Sequence, residues 1–446
     1  MRRHLLLFVL LTMCLSGCGT IYPTLVYNEP TVRNDTFTIR EGVLSKTAQK
    51  IKYLREGNNI GEIILSEPVL VAMAEQEEDW GYFQFPSIAV AADGTLIVSW
   101  QMKADSHVAY GKFSNREATP MMSKDGGKTW LPQDRNYHAI NKGYNVLMSD
   151  GTLLEISTPS SKNINTYKDF PKVAVAESGN RSFYKVNSLP DDFKGVYMQY
   201  TDKHNNRKII HAKLEDSELL RYSVDGVMPV VWWGGIKQIS DNTLISGVYP
   251  ARYLREDGKT ISSGVSFYKS TDRGESWNVI GKILFNPDGI AEIIGEGEYT
   301  EPDYEILADN TFICVMRSGS ASPMYKSFSY DNGNTWSTPQ PFTPNGVKPR
   351  VLLLKNGILV LASGRPGIQL RFSFNGSGND WTDPIDMIPF VKDGDKFIRD
   401  ISCGYASIIE ADDNSFYLVY SDFTTKNENG DTRKSIWFRK VSVKRK

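Results

Sequence analysis

The chain has 446 residues, with 51 Lys plus Arg against 52 Asp plus Glu and a formal charge of −1 at pH 7. That balance excludes a general nucleic-acid binder, which needs a basic excess to meet phosphate, and 40% hydrophobic with 11% aromatic residues excludes global disorder. Four cysteines exclude a disulfide scaffold, while 36 Gly, 22 Tyr and 9 Trp point to turns and strands rather than helices. At roughly 150 residues per domain, length alone suggests about three domains.

The chain begins with a basic pair, Arg2 and Arg3, followed by an apolar run from Leu5 to Leu11. The run is too short to span a bilayer and reads as an export signal. It ends in Leu15-Ser16-Gly17-Cys18, and small residues immediately before a cysteine resemble the bacterial lipobox. That resemblance implies cleavage before Cys18 and a lipid on its side chain. Residues 1–17 are then the signal peptide and 18–59 a tether and lead-in. The remainder lies outside the cytoplasm, held at the bacterial cell envelope by its N-terminal lipid. Cys14 leaves with the signal, and Cys314 and Cys403, in separate strand-like runs, are expected as free, buried thiols.

Next comes an apolar strand within residues 60–72, centred on Ile63-Ile64-Leu65, and then an internal repeat. Its copies are AADGTLIVSW from Ala91, MSDGTLLEIS from Met148, ISDNTLISGV from Ile239, LADNTFICVM from Leu307, LKNGILVLAS from Leu354 and ADDNSFYLVY from Ala411. In each, Asp/Asn-Gly/Asn supplies a tight hairpin turn and an apolar strand follows. The intervals from Asp93 through Asp150, Asp241, Asp309, Asn356 and Asp413 are 57, 91, 68, 47 and 57 residues, the length of a four-stranded unit plus loops. Six such units indicate an all-β, six-bladed β-propeller over residues 60–446 rather than three domains. The segment at 60–72 is expected to close the ring by pairing with the last unit, which removes exposed edges. The 91-residue interval holds a polar insertion, about residues 158–225, expected to shape a ligand face.

A second motif falls between these turns: Ser123-Lys-Asp125-Gly-Gly127-Lys-Thr129-Trp130, then Ser270 to Trp277, then Ser329 to Trp336, with a degenerate copy from Ser373 to Trp381 that carries Asn375 and one extra residue. It resembles the Asp-box repeat, S-x-D-x-G-x-T-W, of sialidases and related propellers. The aspartate can bond backbone amides in the outer hairpin while tryptophan packs against the blade edge. In the resembled family these turns lie opposite the active site, so Asp125, Asp272 and Asp331 are read as structural.

The resemblance extends to a site. Sialidases carry Arg-Ile-Pro on the first blade, a glutamate before the fourth-blade strand, an arginine ending that strand, an arginine on the fifth blade and a tyrosine on the sixth. Here Glu301 precedes the strand that ends at Arg317, Arg365 follows the fifth repeat strand, and Tyr405 leads into the sixth. The resemblance implies an exo-acting glycoside hydrolase that releases a terminal acidic sugar with retention. Tyr405 would be the nucleophile, Glu301 its activating base, Arg317 and Arg365 a clamp for the sugar carboxylate, and Arg350 a supplement to that pocket. The chemistry is coherent. A carboxylate on the anomeric carbon would repel an acidic nucleophile, whereas a neutral tyrosine paired with a base avoids the repulsion. Guanidinium groups grip carboxylates bidentately.

Two positions depart from the family. Gln84, in Tyr82-Phe83-Gln84-Phe85-Pro86, stands where the first arginine should be and cannot make a charged fork, a loss of roughly 1.5–3 kcal/mol. The acid/base aspartate maps to Asp105 in a poorly matching context, and His107 could do the same proton work. A hydrolase or lyase acting on a different glycan, and a non-catalytic glycan-binding lipoprotein, therefore remain open. His138, His204 and His211 lack metal-ligand spacing and no nucleotide motif stands out, so no cofactor is expected. The expected partners are a glycan and, through the lipid, a membrane.

Overall fold

Each of the six repeated turns closes a hairpin between the first and second strands of an antiparallel sheet. In four of them the carboxylate or amide at the first position accepts the backbone N–H two residues on. Asp93 accepts from Thr95 at 3.0 Å, Asp150 from Thr152 at 2.9 Å, Asp309 from Thr311 at 3.0 Å and Asn356 from Ile358 at 3.0 Å. Gly94, with φ of 83°, supplies the left-handed residue that the turn needs. These observations come from a computed structural model, which describes residues 32–33, 48–55, 57–103, 118–141, 144–157, 161–228, 232–240, 242–258, 263–285, 298–319, 322–365, 367–388, 392–393, 396–397 and 404–446.

The fold is all-β, with three single-turn 3₁₀ segments as the helical elements among the described residues. The first strands of the successive sheets are Tyr82–Ala91, Asn145–Leu147, Trp232–Ser240, Thr300–Ile306, Val347–Leu353 and Ala406–Asp412. Each lies beside the next, with the short strand Ala139–Ile140 between the first two, and Ala406–Asp412 returns to Tyr82–Ala91. The apolar cores follow this order. One core joins sheets two and three, and others join three and four, four and five, five and six, and six and one.

The N-terminal segment completes the last sheet. Gly61–Leu65 pairs with Val441–Arg445 and Val69–Met73 with Ser435–Phe438, both antiparallel to the long final strand Thr432–Arg445. Pairing covers an edge that would otherwise expose unpaired N–H and C=O groups. The strand Gln49–Arg55 adds to the same sheet, and Ile51 and Tyr53 are fully buried in its core, so ordered structure reaches into the stretch expected as lead-in.

The insertion within 158–225 needs correction. Its middle contains the third and fourth strands of the second sheet, Val196–Thr201 and Arg207–Glu215. The added structure is the remainder. It is a separate five-stranded sheet built from Lys162–Asn163, Ala176–Ser178, Arg181–Lys185, Leu220–Val224 and Val227–Met228, with its own small core of Phe170, Tyr184, Leu189, Phe193 and Met228. Arg207–Glu215 has an exposed, polar outer face, which hides its strand character in the sequence. Its end pairs in parallel with Ser276–Asn278, fastening the second sheet to the third.

The S-x-D-x-G-x-T-W segments form one recurring turn between third and fourth strands. Asp125 accepts the Ser123 hydroxyl at 2.7 Å, the Thr129 amide at 3.0 Å and the Thr129 hydroxyl at 2.6 Å. Trp130 Nε1 donates to Gly127 O at 3.2 Å. Asp272 and Asp331 repeat the pattern, and Asn375 retains the serine bond while Trp381 donates to Gly378 O at 2.8 Å. Three of the indoles reach back to the preceding sheet: Trp130 to Phe438 at 5.2 Å, Trp336 to Phe267 at 4.2 Å and Trp381 to Phe342 at 5.9 Å. Burying such a ring contributes on the order of 2 kcal/mol, so the turns act as rivets between sheets.

Candidate active site

Three first strands begin with the same irregularity. The pairing register slips between Gln84 and Ser87, between Thr300 and Asp303, and between Val347 and Arg350. The residues inside these bulges are Phe85-Pro86, Glu301-Pro302 and Lys348-Pro349. Proline has no N–H to give to a ladder, which suits it to a bulge. The residue before each proline has positive φ: 50° at Phe85, 47° at Glu301 and 47° at Lys348. Non-glycine residues avoid this region, and such outliers gather at functional sites. The bulge re-aims each side chain away from the alternation of an ordinary strand.

Glu301 is held from two sides. Its Oε2 accepts the Lys348 backbone N–H at 2.9 Å and lies 3.3 Å from Arg317 Nη1. Arg317 ends the second strand of the same sheet and donates from Nε to Gly319 O at 3.1 Å. Burial alone would raise the Glu301 carboxyl, but the charges of Arg317, Lys348 and Arg365 outweigh it and hold the group below its ordinary value. Glu301 is thus a stable carboxylate, able to accept a proton.

Tyr405 is 2% exposed and fixed at its backbone, with its N–H donating to Ser421 Oγ and its carbonyl accepting the Ser421 N–H, both at 3.0 Å. Its hydroxyl accepts a hydrogen bond from Arg365 Nη2 at 3.1 Å. Arg365 is 5% exposed, has φ of 35°, and its guanidinium lies 5.6 Å above the Trp80 ring. The Phe85 ring packs on Tyr405 at 4.1 Å, and Val347, Phe423 and Trp80 complete an apolar wall around the phenol. The bond from Arg365 fixes the orientation of the phenol oxygen within this wall.

Arg350 pairs with Asp303 at 3.7 Å, and Asp303 also accepts the Val351 N–H at 2.7 Å. The Arg350 guanidinium lies 4.9 Å from the centre of the Tyr144 ring. Burial raises the Tyr144 phenol, but Lys348 and Arg350 overcome it and bring the group below the usual tyrosine value. Tyr249 moves the other way: burial and the nearby carboxylate of Glu301 push it well up.

The structure therefore brings Glu301, Arg317, Arg365 and Tyr405 into one neighbourhood, with Arg350 at its side. Gln84 is fully buried, and neither its Nε2 nor its Oε1 has a hydrogen-bond partner among the described residues. Asp105, His107, Cys18 and Cys403 lie outside the described residues. Cys314 is a free, buried thiol. Sequence reasoning missed Lys348, Tyr144, Tyr249, Trp80 and Phe85. The repeated residue-proline pairs at the starts of first strands were the signal that could have revealed Phe85 and Lys348.

No family model matches the chain. It is 23% identical over 275 residues to a protein described as a sialidase from Paraclostridium sordellii, an alignment covering 58% of each chain. The chain thus spans little more than half the length of that relative. Among solved structures it is similar to a protein of unknown function from Dyadobacter fermentans DSM 18053, with a TM-score of 0.55 and 15% identity, covering 86% of this chain and 99% of that one. It is also similar to the Hadza microbial sialidase Hz136, with a TM-score of 0.50 and 13% identity, covering 89% and 74%. These likenesses show an all-β, sialidase-like fold.

Proposed function

We propose that the chain is an exo-acting, retaining glycoside hydrolase of the sialidase type, a six-bladed β-propeller that releases a terminal acidic sugar from a glycan. The observation that carries this reading is the hydrogen bond from Arg365 to the Tyr405 hydroxyl, in a site where Arg317 and the Lys348 amide fix the Glu301 carboxylate. Tyr405 Oη attacks the anomeric carbon and passes its proton to Glu301. The bond to the leaving-group oxygen breaks as that oxygen takes a proton, for which Asp105 is the proposed donor. A water deprotonated by Asp105 then displaces tyrosine and restores both groups. Arg317 and Arg365 hold the sugar carboxylate, and Arg350, anchored by Asp303, supports the wall at Tyr144. The sialidase similarity of sequence and fold agrees with this assignment. The basic start, short apolar run and Ser16-Gly17-Cys18 support anchoring through a lipid on Cys18 at the bacterial envelope.

The test is hydrolysis of an aryl α-sialoside by the purified protein. Turnover that disappears in Tyr405→Phe and Glu301→Ala is the expected result. No turnover on sialosides or other terminal ulosonic acids would contradict it. Gln84 favours a second reading, because a neutral amide at that position suits a different glycan, cleaved by hydrolysis or by elimination with a tyrosine base. Uronic-acid oligosaccharides giving an ultraviolet-absorbing unsaturated product would select elimination. Tight glycan binding without product would select a non-catalytic role.

A further inference from the structure

The site has more positive charge than the three arginines first assigned to it. Lys348 occupies the same bulge position as Glu301, with the same φ of 47° and the same following proline. At Glu301 that geometry delivers the side chain to Arg317, and at Phe85 it delivers the ring to Tyr405. The Lys348 backbone also lies between the two reacting groups. Its N–H donates to Glu301 Oε2, and the preceding residue, Val347, is buried in the cluster that contains Tyr405. Two of the other charges here face carboxylates of the protein itself. Arg317 faces Glu301 and Arg350 faces Asp303, whereas Lys348, half-buried, forms no salt bridge among the described residues.

We propose that Lys348 is a carboxylate-binding residue of this site. It supplies, from the fifth sheet, the positive charge that Gln84 does not supply from the first, and so sets the preference for a sugar bearing a carboxylate. This rests on the function proposed above and deepens it. The depression of Tyr144 and Glu301 by the Lys348 charge agrees with an ammonium facing both. An ammonium grips a carboxylate as a point charge rather than as a planar fork. A pocket built this way tolerates rotation of the carboxylate that a third arginine would resist.

The experiment measures competitive binding of free sialic acid and of its methyl ester to the full chain, with kcat and KM on an aryl α-sialoside alongside. Lys348→Gln is expected to weaken the free acid and raise KM by about 10- to 100-fold, the scale of one charged hydrogen bond. The ester and kcat should change little, and Lys348→Arg should retain acid binding. Equal weakening of acid and ester, or no effect on either, overturns the proposal while leaving the hydrolase reading intact. A wild-type chain that binds and cleaves neither overturns both. Thermal unfolding of Lys348→Arg and Lys348→Gln separates misfolding from a lost contact.

Discussion

At the turns between third and fourth strands, each acidic group is satisfied by its own neighbours. Asp125 takes hydrogen bonds from Ser123, Lys128 and Thr129, all within four residues. The left-handed positions there are mostly glycine: Gly127 and Gly333 have φ of 90° and 87°. At the starts of the first strands the arrangement reverses. Glu301 is satisfied from the neighbouring sheet and from the next strand, Tyr405 from the fifth sheet, and positive φ values fall on Phe85, Glu301 and Lys348, with a further one on Arg365 after the second strand of the fifth sheet. Local satisfaction makes a turn that forms wherever its sequence occurs. Satisfaction between sheets makes a site that exists only once the sheets have assembled, with the strain that such positions carry. If the first region serves stability and the second the proposed chemistry, substitutions should separate them.

The largest effect is expected in the second region. Tyr405→Phe should reduce kcat on an aryl sialoside by on the order of 10³-fold while the unfolding midpoint barely moves, because one hydrogen bond contributes only about 1 kcal/mol. Steady-state kinetics with parallel calorimetry checks both halves. Glu301→Gln should cost about 10²-fold in kcat, the range of a general base. The sign of its pH dependence also follows. A carboxyl held below its ordinary value of 4.5 stays ionised as pH falls, so the acidic limb that it contributes to kcat/KM lies below pH 4.5.

In the first region the expectation reverses. A Cβ at Gly127 would come within 2.1 Å of the Phe438 ring in the preceding sheet, at a φ that alanine avoids. Gly127→Ala should therefore destabilise the fold by about 1–3 kcal/mol, read by denaturant unfolding, with kcat per folded molecule unchanged. Asp331 is held below the ordinary aspartate value by the amide and hydroxyl of Thr335. A depressed carboxylate stabilises the native state above its unfolded pKa and ceases to do so as pH falls through the folded one. Asp331→Asn should thus lower the melting temperature at neutral pH and converge on wild type in acid. The smallest effect is assigned to Gln84. Its buried amide has no partner among the described residues, so Gln84→Met should change stability by no more than about 1 kcal/mol, in the stabilising direction. A larger loss would mean that the amide holds a water or a ligand.

The same contrast governs what could be read from the sequence. The six hairpin turns and the four tryptophan turns were legible because their chemistry is contained in eight or ten consecutive residues. Glu301, Arg317, Arg365 and Tyr405 were legible through resemblance, and the structure assembles them from three sheets. Lys348 and Tyr144 were not legible. Their placement depends on a bulge and on packing between the second and fifth sheets, neither of which leaves a local pattern. The outer strand Arg207–Glu215 was absorbed into an insertion because charged residues mask its alternation, and its partner Val196–Thr201 went with it.

The central claim is that Tyr405 carries out a double displacement on an acidic sugar, and stereochemistry tests it most directly. Proton NMR of an α-sialoside digest, recorded before mutarotation, should show the α-anomer appearing first in wild type and no product in Tyr405→Phe. First release of the β-anomer, or turnover that survives Tyr405→Phe, would contradict the account.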